Sequence, residues 1–328
     1  MDIMTTYNWG IIGTGWIAGE MAQTLTDEKG EIYGVTTRRT EELEQFAKQY
    51  PVKHQFASVA DLLADEAVDI VYVATPHHLH AKLIRQALEA GKHVVSEKAI
   101  TINSDELTSL AALARQKNLI LMEAMTVLHM PIWQYLKKSV DDGLVGNVKM
   151  IQINFGSHKA YDVTNRFFNP ELAGGALLDI GGYALSVARL FMKSQPNQLL
   201  TTVNYFETGV DEESVIVLKN KEGEMASITL TMQAKQPKRA LISGDKGYIE
   251  VYDYPRGDKA VFVETATGQK TEIAKGSSAK ALAYEVADVK RFIDNQDLDG
   301  ALAYTIDVMN LMTAVRKEWG FYYPSEKE

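Results

Sequence analysis

A lysine at the end of a strand-like run is the first residue in this chain whose placement suggests chemistry. The β-branched stretch His93-Val94-Val95 breaks directly into Ser96-Glu97-Lys98. Buried strands of parallel sheets read as short apolar runs, and ligands sit just beyond their carboxyl ends. Lys98 would then project an amine into a crevice where a cofactor and a substrate meet; taken alone, Glu97-Lys98 reads more readily as a surface ion pair. Asp179 and Tyr183 form a second constellation. They stand four apart, so on a helical turn both face the same way. Their bland alternatives are a carboxylate facing a helix dipole and a packing residue at a helix start. His77, His78 and His80 fall within four residues, but no carboxylate lies in the same turn, and no metal is expected there. The chain has no cysteine, which excludes disulfides, thiol catalysis and zinc–thiolate sites.

The elements that must position these groups begin with Asn8-Trp9-Gly10-Ile11-Ile12, a short strand. It runs through Gly13-Thr14-Gly15-Trp16-Ile17-Ala18 into a helical pattern. This is G-x-G-x-x-A in a strand–turn–helix context, the arrangement that binds dinucleotides. Gly13 makes the tight turn, Gly15 lets backbone approach a pyrophosphate, and Ala18 lets the helix pack close on the strand. The helix start offers free N–H groups to phosphate. The next strand, Ile32 to Thr36, ends where an NAD-selective site places a carboxylate on the ribose. Here the residues are Thr37-Arg38-Arg39, with no carboxylate before Glu41. A hydroxyl and two guanidinium groups suit a 2′-phosphate, so NADP is expected as cofactor, with NAD as the alternative. A basic, solvated loop capping the next helix is the competing reading.

Val68 to Ala74 is a further strand, stopping at Thr75-Pro76-His77-His78-Leu79-His80. A helix from Ala81 to Ala90, closed by Gly91, follows. The Lys98 strand comes next, then a helix Ser104–Gln116 and a strand Leu119–Met122. This alternation predicts a doubly wound parallel sheet over residues 1–123. Thr75, Pro76 and one or two of the histidines are expected to line the nicotinamide pocket, with His80 holding the loop.

From residue 124 the texture changes to strand-like runs with short turns, which predicts a largely antiparallel sheet over 124–328 with two closing helices. A long polar segment, 158–175, carries Arg166, Phe167 and Phe168; segments of that length are usually lids or binding loops. A sheet covered by helices on one face leaves the other needing a partner, so a homodimer, or a dimer of dimers, through that face is expected.

Composition bounds the partners. With 328 residues the chain is long enough for two cores, and 34 basic against 43 acidic side chains give a formal charge of −9. That balance argues against binding nucleic acid or an anionic membrane surface and leaves a small-molecule substrate. No apolar run approaches a membrane span, and Met1 to Gly10 shows no basic region followed by an apolar core, so a cytoplasmic location is expected.

These stretches, with Met122-Glu123-Ala124-Met125, Gly174 to Tyr183 and Gly244 to Glu250, fall in the order found in the Gfo/Idh/MocA oxidoreductases. The chain resembles the branch that holds glucose–fructose oxidoreductase, trans-1,2-dihydrodiol dehydrogenase and NADP-dependent xylose dehydrogenases. The resemblance implies hydride transfer, with an N-terminal Rossmann domain and a C-terminal α/β domain whose open sheet forms the dimer. It implies that Lys98, with Glu97 beside it, sits between nicotinamide and substrate. It also implies that Tyr183 gives or takes the substrate proton, and that Asp179 binds substrate. The chemistry agrees: a neighbouring ammonium favours the phenolate of a tyrosine, so Lys and Tyr make an acid–base couple. A non-catalytic NADP-binding sensor is the alternative. Two departures stand out. Ala99 replaces the family's usual Pro, which predicts a looser turn. Thr126-Val127-Leu128-His129 replaces a run in which relatives carry an aromatic residue and an Arg, which removes the side chains expected to shape the pocket for aromatic diols or simple aldoses.

Overall fold

A computed structural model describes residues 6–300 and 302–327; residues 1–5 and 328, which the expected domain ranges include, lie outside the described residues. The chain forms two compact units. The first comprises the chain up to Thr101, Asp105–Ala124 and Leu282–Leu302; the second comprises Ile102–Ser104, Met125–Ala281 and Ala303 onward. The expected single division after residue 123 is therefore more complicated, because the chain crosses between units several times.

In the first unit, β1 (Asn8–Ile12), α1 (Trp16–Asp27), β2 (Glu31–Thr36), α2 (Thr40–Gln49), β3 (His54–Gln55), α3 (Val59–Ala64), β4 (Ile70–Val73), α4 (His80–Glu89), β5 (His93–Glu97), α5 (Ser104–Gln116) and β6 (Leu121–Ala124) follow in turn. The sheet is wholly parallel in the order β3-β2-β1-β4-β5-β6. The order reverses between β1 and β4, and ligands of doubly wound sheets bind beyond the strand ends at such a point. The apolar runs explain the strands: every residue of β4 and β6 is buried. The helices bury one stripe each. On α4 that stripe is His80, Leu83, Ile84, Ala87 and Leu88, and each aliphatic side chain so buried contributes on the order of 1.5–3 kcal/mol. Gly91, at φ +79, ends α4 in the left-handed conformation. Sequence periodicity places β6 two residues too early; Glu123 and Ala124 are part of the strand.

The second unit has α6 (Thr126–His129), α7 (Pro131–Asp141), β7 (Val148–Gly156), α8 (Gly182–Phe191), β8 (Gln198–Tyr205), β9 (Asp211–Lys219), β10 (Met225–Thr231), β11 (Gln236–Gly244), β12 (Gly247–Tyr252), β13 (Lys259–Glu264) and β14 (Lys270–Ala274). After α9 (Ala281–Asp294), most of which belongs to the first unit, α10 (Leu302–Glu318) closes the second. Its sheet runs β14-β13-β12-β11-β7-β10-β9-β8, antiparallel throughout except for the β7–β10 pair. β13 and β14 escape the sequence reading because they lie at the margin of the sheet with little buried surface; β14, the edge strand, is nearly all polar and exposed. Alternation sorts the faces: Ile216, Leu218, Ile228, Ile242, Ile249 and Val251 are buried on the side α8 covers, while Val215, Tyr248 and Tyr252 are exposed on the other. Among the described residues no helix is long and apolar enough to cross a membrane.

Candidate active site

The dinucleotide loop has the mechanics its sequence calls for. Gly13 has φ +110, and a Cβ there would lie 2.3 Å from the carbonyl oxygen of Ala74, so only glycine fits. Its N–H donates to Thr36 O at 2.9 Å, tying the loop to the end of β2. A Cβ on Gly15 would instead meet nothing within 4 Å, so backbone is open to an approaching ligand. α1 starts at once, with Gly15 as its cap residue, no side-chain cap and no acid in its first turn. Its first N–H groups thus suit the pyrophosphate of a dinucleotide. At the end of β2, Thr36 is buried, Thr37 half-buried and Arg38 exposed, with no ion pair to Arg38 among the described residues. Arg39 differs: it pairs with Glu42 and caps α2. The two guanidinium groups that look equivalent in sequence are therefore separated by structure.

Beyond β5 the chain enters the Lys98 loop, and the Lys98–Ala99 peptide is cis. Four of its backbone polar groups meet side chains. Glu97 accepts from the N–H of Lys98 at 3.3 Å, and its other oxygen accepts from the hydroxyl of Tyr72. His77 Nε2 lies 3.2 Å from Lys98 O, His80 Nδ1 lies 2.9 Å from Ala99 O, and the N–H of Ile100 donates to Glu123 at 3.0 Å. His80 Nε2 also meets Thr75 O at 2.7 Å. The looser turn expected from Ala99 is thus corrected: four side chains hold the loop without a proline ring. Burial, then the Glu97 charge, pushes the Tyr72 phenol well up, so it stays a donor to that carboxylate.

In the second unit, Asp179 and Tyr183 do not share one α-helical turn. Leu177–Gly181 is a π turn that leads into α8, so Asp179 lies on the wider turn and Tyr183 on the α-helix. Such insertions recur at functional sites. Asp179 is buried, with Lys159 at 3.8 Å and Arg166 at 3.7 Å. Both cations lie over the ring of Phe167, at 3.7 and 4.2 Å from its centre. Tyr183 packs its ring against Phe155, 6.1 Å between centres.

Asp179 is not the carboxylate that satisfies the helix start. That is Asp211, fully buried on β9, whose Oδ2 accepts from the N–H of Leu177 at 2.6 Å. Gly175, at φ +114, permits this: a Cβ there would fall 2.0 Å from Asp211 Oδ1. Tyr323 donates to Gly174 O at 2.7 Å and braces the same entrance to α8. Burial raises the carboxyl of Asp211 to about 6, against the pull of backbone donors and of Arg316. Sequence reading missed Asp211, Lys159, Glu123 and Tyr72. Only the length and polarity of 158–175 pointed toward Lys159; Glu123 stood in the stretch Met122-Glu123-Ala124-Met125 without a role, and nothing local marked Asp211 or Tyr72.

A dinucleotide loop with a lysine at a neighbouring strand end, and a carboxylate and phenol on a second sheet-based unit, define a nicotinamide-dependent oxidoreductase. The profile described as "Oxidoreductase family, NAD-binding Rossmann fold" matches residues 7–125, and that of the GFO/IDH/MocA C-terminal domain matches 133–250; the chain belongs to the GFO/IDH/MocA oxidoreductase family. It is similar to the trans-1,2-dihydrobenzene-1,2-diol dehydrogenase of Xenopus laevis, 29% identical over 96% of this chain and 99% of that one. It is similar also to the D-xylose 1-dehydrogenase (NADP(+)) of Hypocrea jecorina, 30% identical over 97% and 93%. KijD10, a 3-ketoreductase from Actinomadura kijaniata solved with NADP and TDP-benzene, shares the fold with a TM-score of 0.86 at 22% identity, over 95% of this chain and 98% of that one.

Asp211 yields a prediction. Its folded-state value, about 6, lies above the roughly 3.9 of an unfolded Asp. Between those values the folded chain keeps a proton the unfolded chain has lost, so this group's contribution to stability is complete below about pH 4 and is lost as pH rises through 6. Asp211→Asn keeps an acceptor for Leu177 and carries no charge. Urea unfolding of both proteins at pH 4.5 and 7.5 should show the variant gaining on the parent by about 1–3 kcal/mol at the higher pH. Parallel pH dependences would show that Asp211 titrates normally.

Proposed function

We propose that this oxidoreductase prefers NADP and moves hydride between the nicotinamide and a hydroxyl or carbonyl carbon of a hydroxyl-rich small molecule, a sugar or polyol before an aromatic diol. The observation that carries the reading is the Lys98 loop, at the carboxyl end of β5, with the backbone of Lys98, Ala99 and Ile100 held by Glu97, His77, His80 and Glu123. A sensor has no need for a lysine so fixed. When bound, the nicotinamide ring accepts or donates the hydride. Gly13, Thr14, Gly15, Trp16 and Ile17 would hold the pyrophosphate through backbone N–H groups, Thr37 and Arg38 the 2′-phosphate, and Thr75, Pro76 and His77 the nicotinamide end. Arg39, already paired, contributes charge at longer range. Glu97 supports Lys98, and its carboxylate is engaged within the protein.

Lys98 hydrogen-bonds the reacting oxygen, and Tyr183 passes its proton, as donor in reduction and acceptor in oxidation. Asp179, set against Lys159 and Arg166, accepts from substrate hydroxyls. The family's aromatic and Arg positions are filled here by Thr126 and Leu128, and Thr126 is buried with its hydroxyl on Pro255 O at 2.6 Å. Recognition therefore falls to Lys159, Arg166 and Asp179, a polar set suited to hydroxyl groups.

Lys98→Met should lower kcat by about 10²–10⁴-fold with dinucleotide affinity unchanged, and Tyr183→Phe should lower kcat with little change in KM. Full turnover by Lys98→Met on an identified sugar or polyol would end this mechanism. Tight dinucleotide binding with no turnover across such a panel would favour the sensor.

Cofactor choice is tested by titrating NADPH and NADH side by side. NADPH should bind tighter, and Arg38→Ala should weaken it roughly 10–100-fold while leaving NADH unchanged, the loss expected for charge-assisted bonds to one phosphate. Tighter NADH binding by the parent would overturn the preference.

The open face of the second sheet supports a homodimer, or a dimer of dimers, and a cytoplasmic location is part of the same proposal. Val215, Thr229, Asn154, Arg239 and Tyr252 line up across five strands of that face. Sedimentation should give at least twice the monomer mass, and Val215→Glu with Tyr252→Glu should reduce it to the monomer; a monomeric parent would refute the interface.

A further inference from the structure

His80 is fully buried at the first turn of α4, and both of its ring nitrogens meet backbone carbonyl oxygens, Thr75 O at 2.7 Å and Ala99 O at 2.9 Å. A carbonyl oxygen only accepts. A neutral imidazole has one N–H and one bare lone pair, so one of these contacts would set lone pair against lone pair at hydrogen-bond distance. The imidazolium has a donor on each side. We propose that His80 is held as an imidazolium, a buried cation that clasps the end of β4 to the Lys98 loop and so acts as a positioning residue for Lys98. The positioning role rests on reading Lys98 as the catalytic amine; the protonation state does not.

The clasp sits where the sheet can no longer do this work. The last register pair between β4 and β5 is Val73 with Ser96. Thr75 and Ala99 lie past it on their respective chains, and His80 bridges their carbonyls as a two-sided donor. Burial opposes the charge, while charge-assisted bonds to two carbonyl dipoles favour it, and neutralisation would cost one of them. The titratable groups around the clasp include two carboxylates, which favour the cation, and one ammonium, which opposes it. His77 presents its ring edge-on at 5.7 Å and needs only one proton to donate from Nε2 to Lys98 O. His78 follows on the same turn, Glu97 and Lys98 come from the end of β5, and Glu123 from β6 holds the N–H of Ile100.

The experiment is long-range ¹⁵N–¹H NMR of the full-length protein labelled at its seven histidines, with His80 assigned by its loss in His80→Asn. Both His80 nitrogens should resonate at the imidazolium position at pH 7, where an ordinary histidine with a value near 6.5 is mostly neutral. One protonated and one bare nitrogen at pH 7 would overturn the proposal. His80→Asn, which offers donors on one side only, should lower kcat about 10²-fold, as a misplaced reacting group does. It should also lose the alkaline limb that deprotonation of His80 gives the parent's kcat profile. An imidazolium spectrum with unchanged kcat in the variant would overturn the positioning role. Failure of Lys98→Met to impair turnover would instead remove the catalytic reading and leave the His80 spectrum to stand.

Discussion

A buried loop must find a partner for every amide and carbonyl it carries, because none can turn to water. The chain after β5 is such a loop: Ala99 and Ile100 are essentially inaccessible. Two carboxylates serve its N–H groups, and two histidines serve its carbonyls. Those four side chains come from β5, from the segment between β4 and α4, from α4 and from β6. The loop is thus fixed by the same strand ends that make a doubly wound sheet a binding site. Lys98 is positioned through its own backbone, whose N–H and carbonyl meet Glu97 and His77.

The second unit meets the same constraint in another form. The stretch entering α8 is buried, and its first N–H groups need an acceptor within the protein. Asp211 supplies it from β9, and the missing side chain at Gly175 gives it room. This releases Asp179 for other work. A helix-start carboxylate would spend its lone pairs on backbone, whereas Asp179 faces Lys159 and Arg166, with the Phe167 ring under both. The π turn matters for the same reason. It widens the helix where Asp179 sits, so its direction differs from that of an ordinary α-helical residue four before Tyr183.

What the sequence disclosed follows from the range of each signal. The phosphate loop, the strand–helix alternation and the Lys98 strand end are local patterns, and the parallel sheet emerges with the expected order of elements. The phenol and carboxylate at 179 and 183 were visible through spacing, although the π turn was not, since nothing in Leu177–Gly181 distinguishes it from an α-helix. Partners distant in the chain left no local mark. Asp211 looks like one acid among three, Asp211-Glu212-Glu213, and Glu123 looks like the end of a strand. Arg38 and Arg39 look alike until Glu42 claims one of them. β13 and the edge strand β14 were hidden because so few of their residues are buried that the alternation which reveals a strand is weak.

The departures from the family pattern fit one physical account. Losing the proline after Lys98 removes a fixed φ, and here side-chain hydrogen bonds supply the restraint instead. Losing the aromatic residue and the Arg after Met125 removes an apolar wall, and α6 turns inward, with Thr126, Val127 and His129 all buried. In the function proposed above, the groups that choose the ligand are the charged ones around Asp179, and they reward hydroxyls that donate to a carboxylate and accept from cations. If that account holds, Lys159→Ala and Arg166→Ala raise KM for a polyhydroxylated substrate and leave kcat nearly untouched, because they bind ground state and transition state alike.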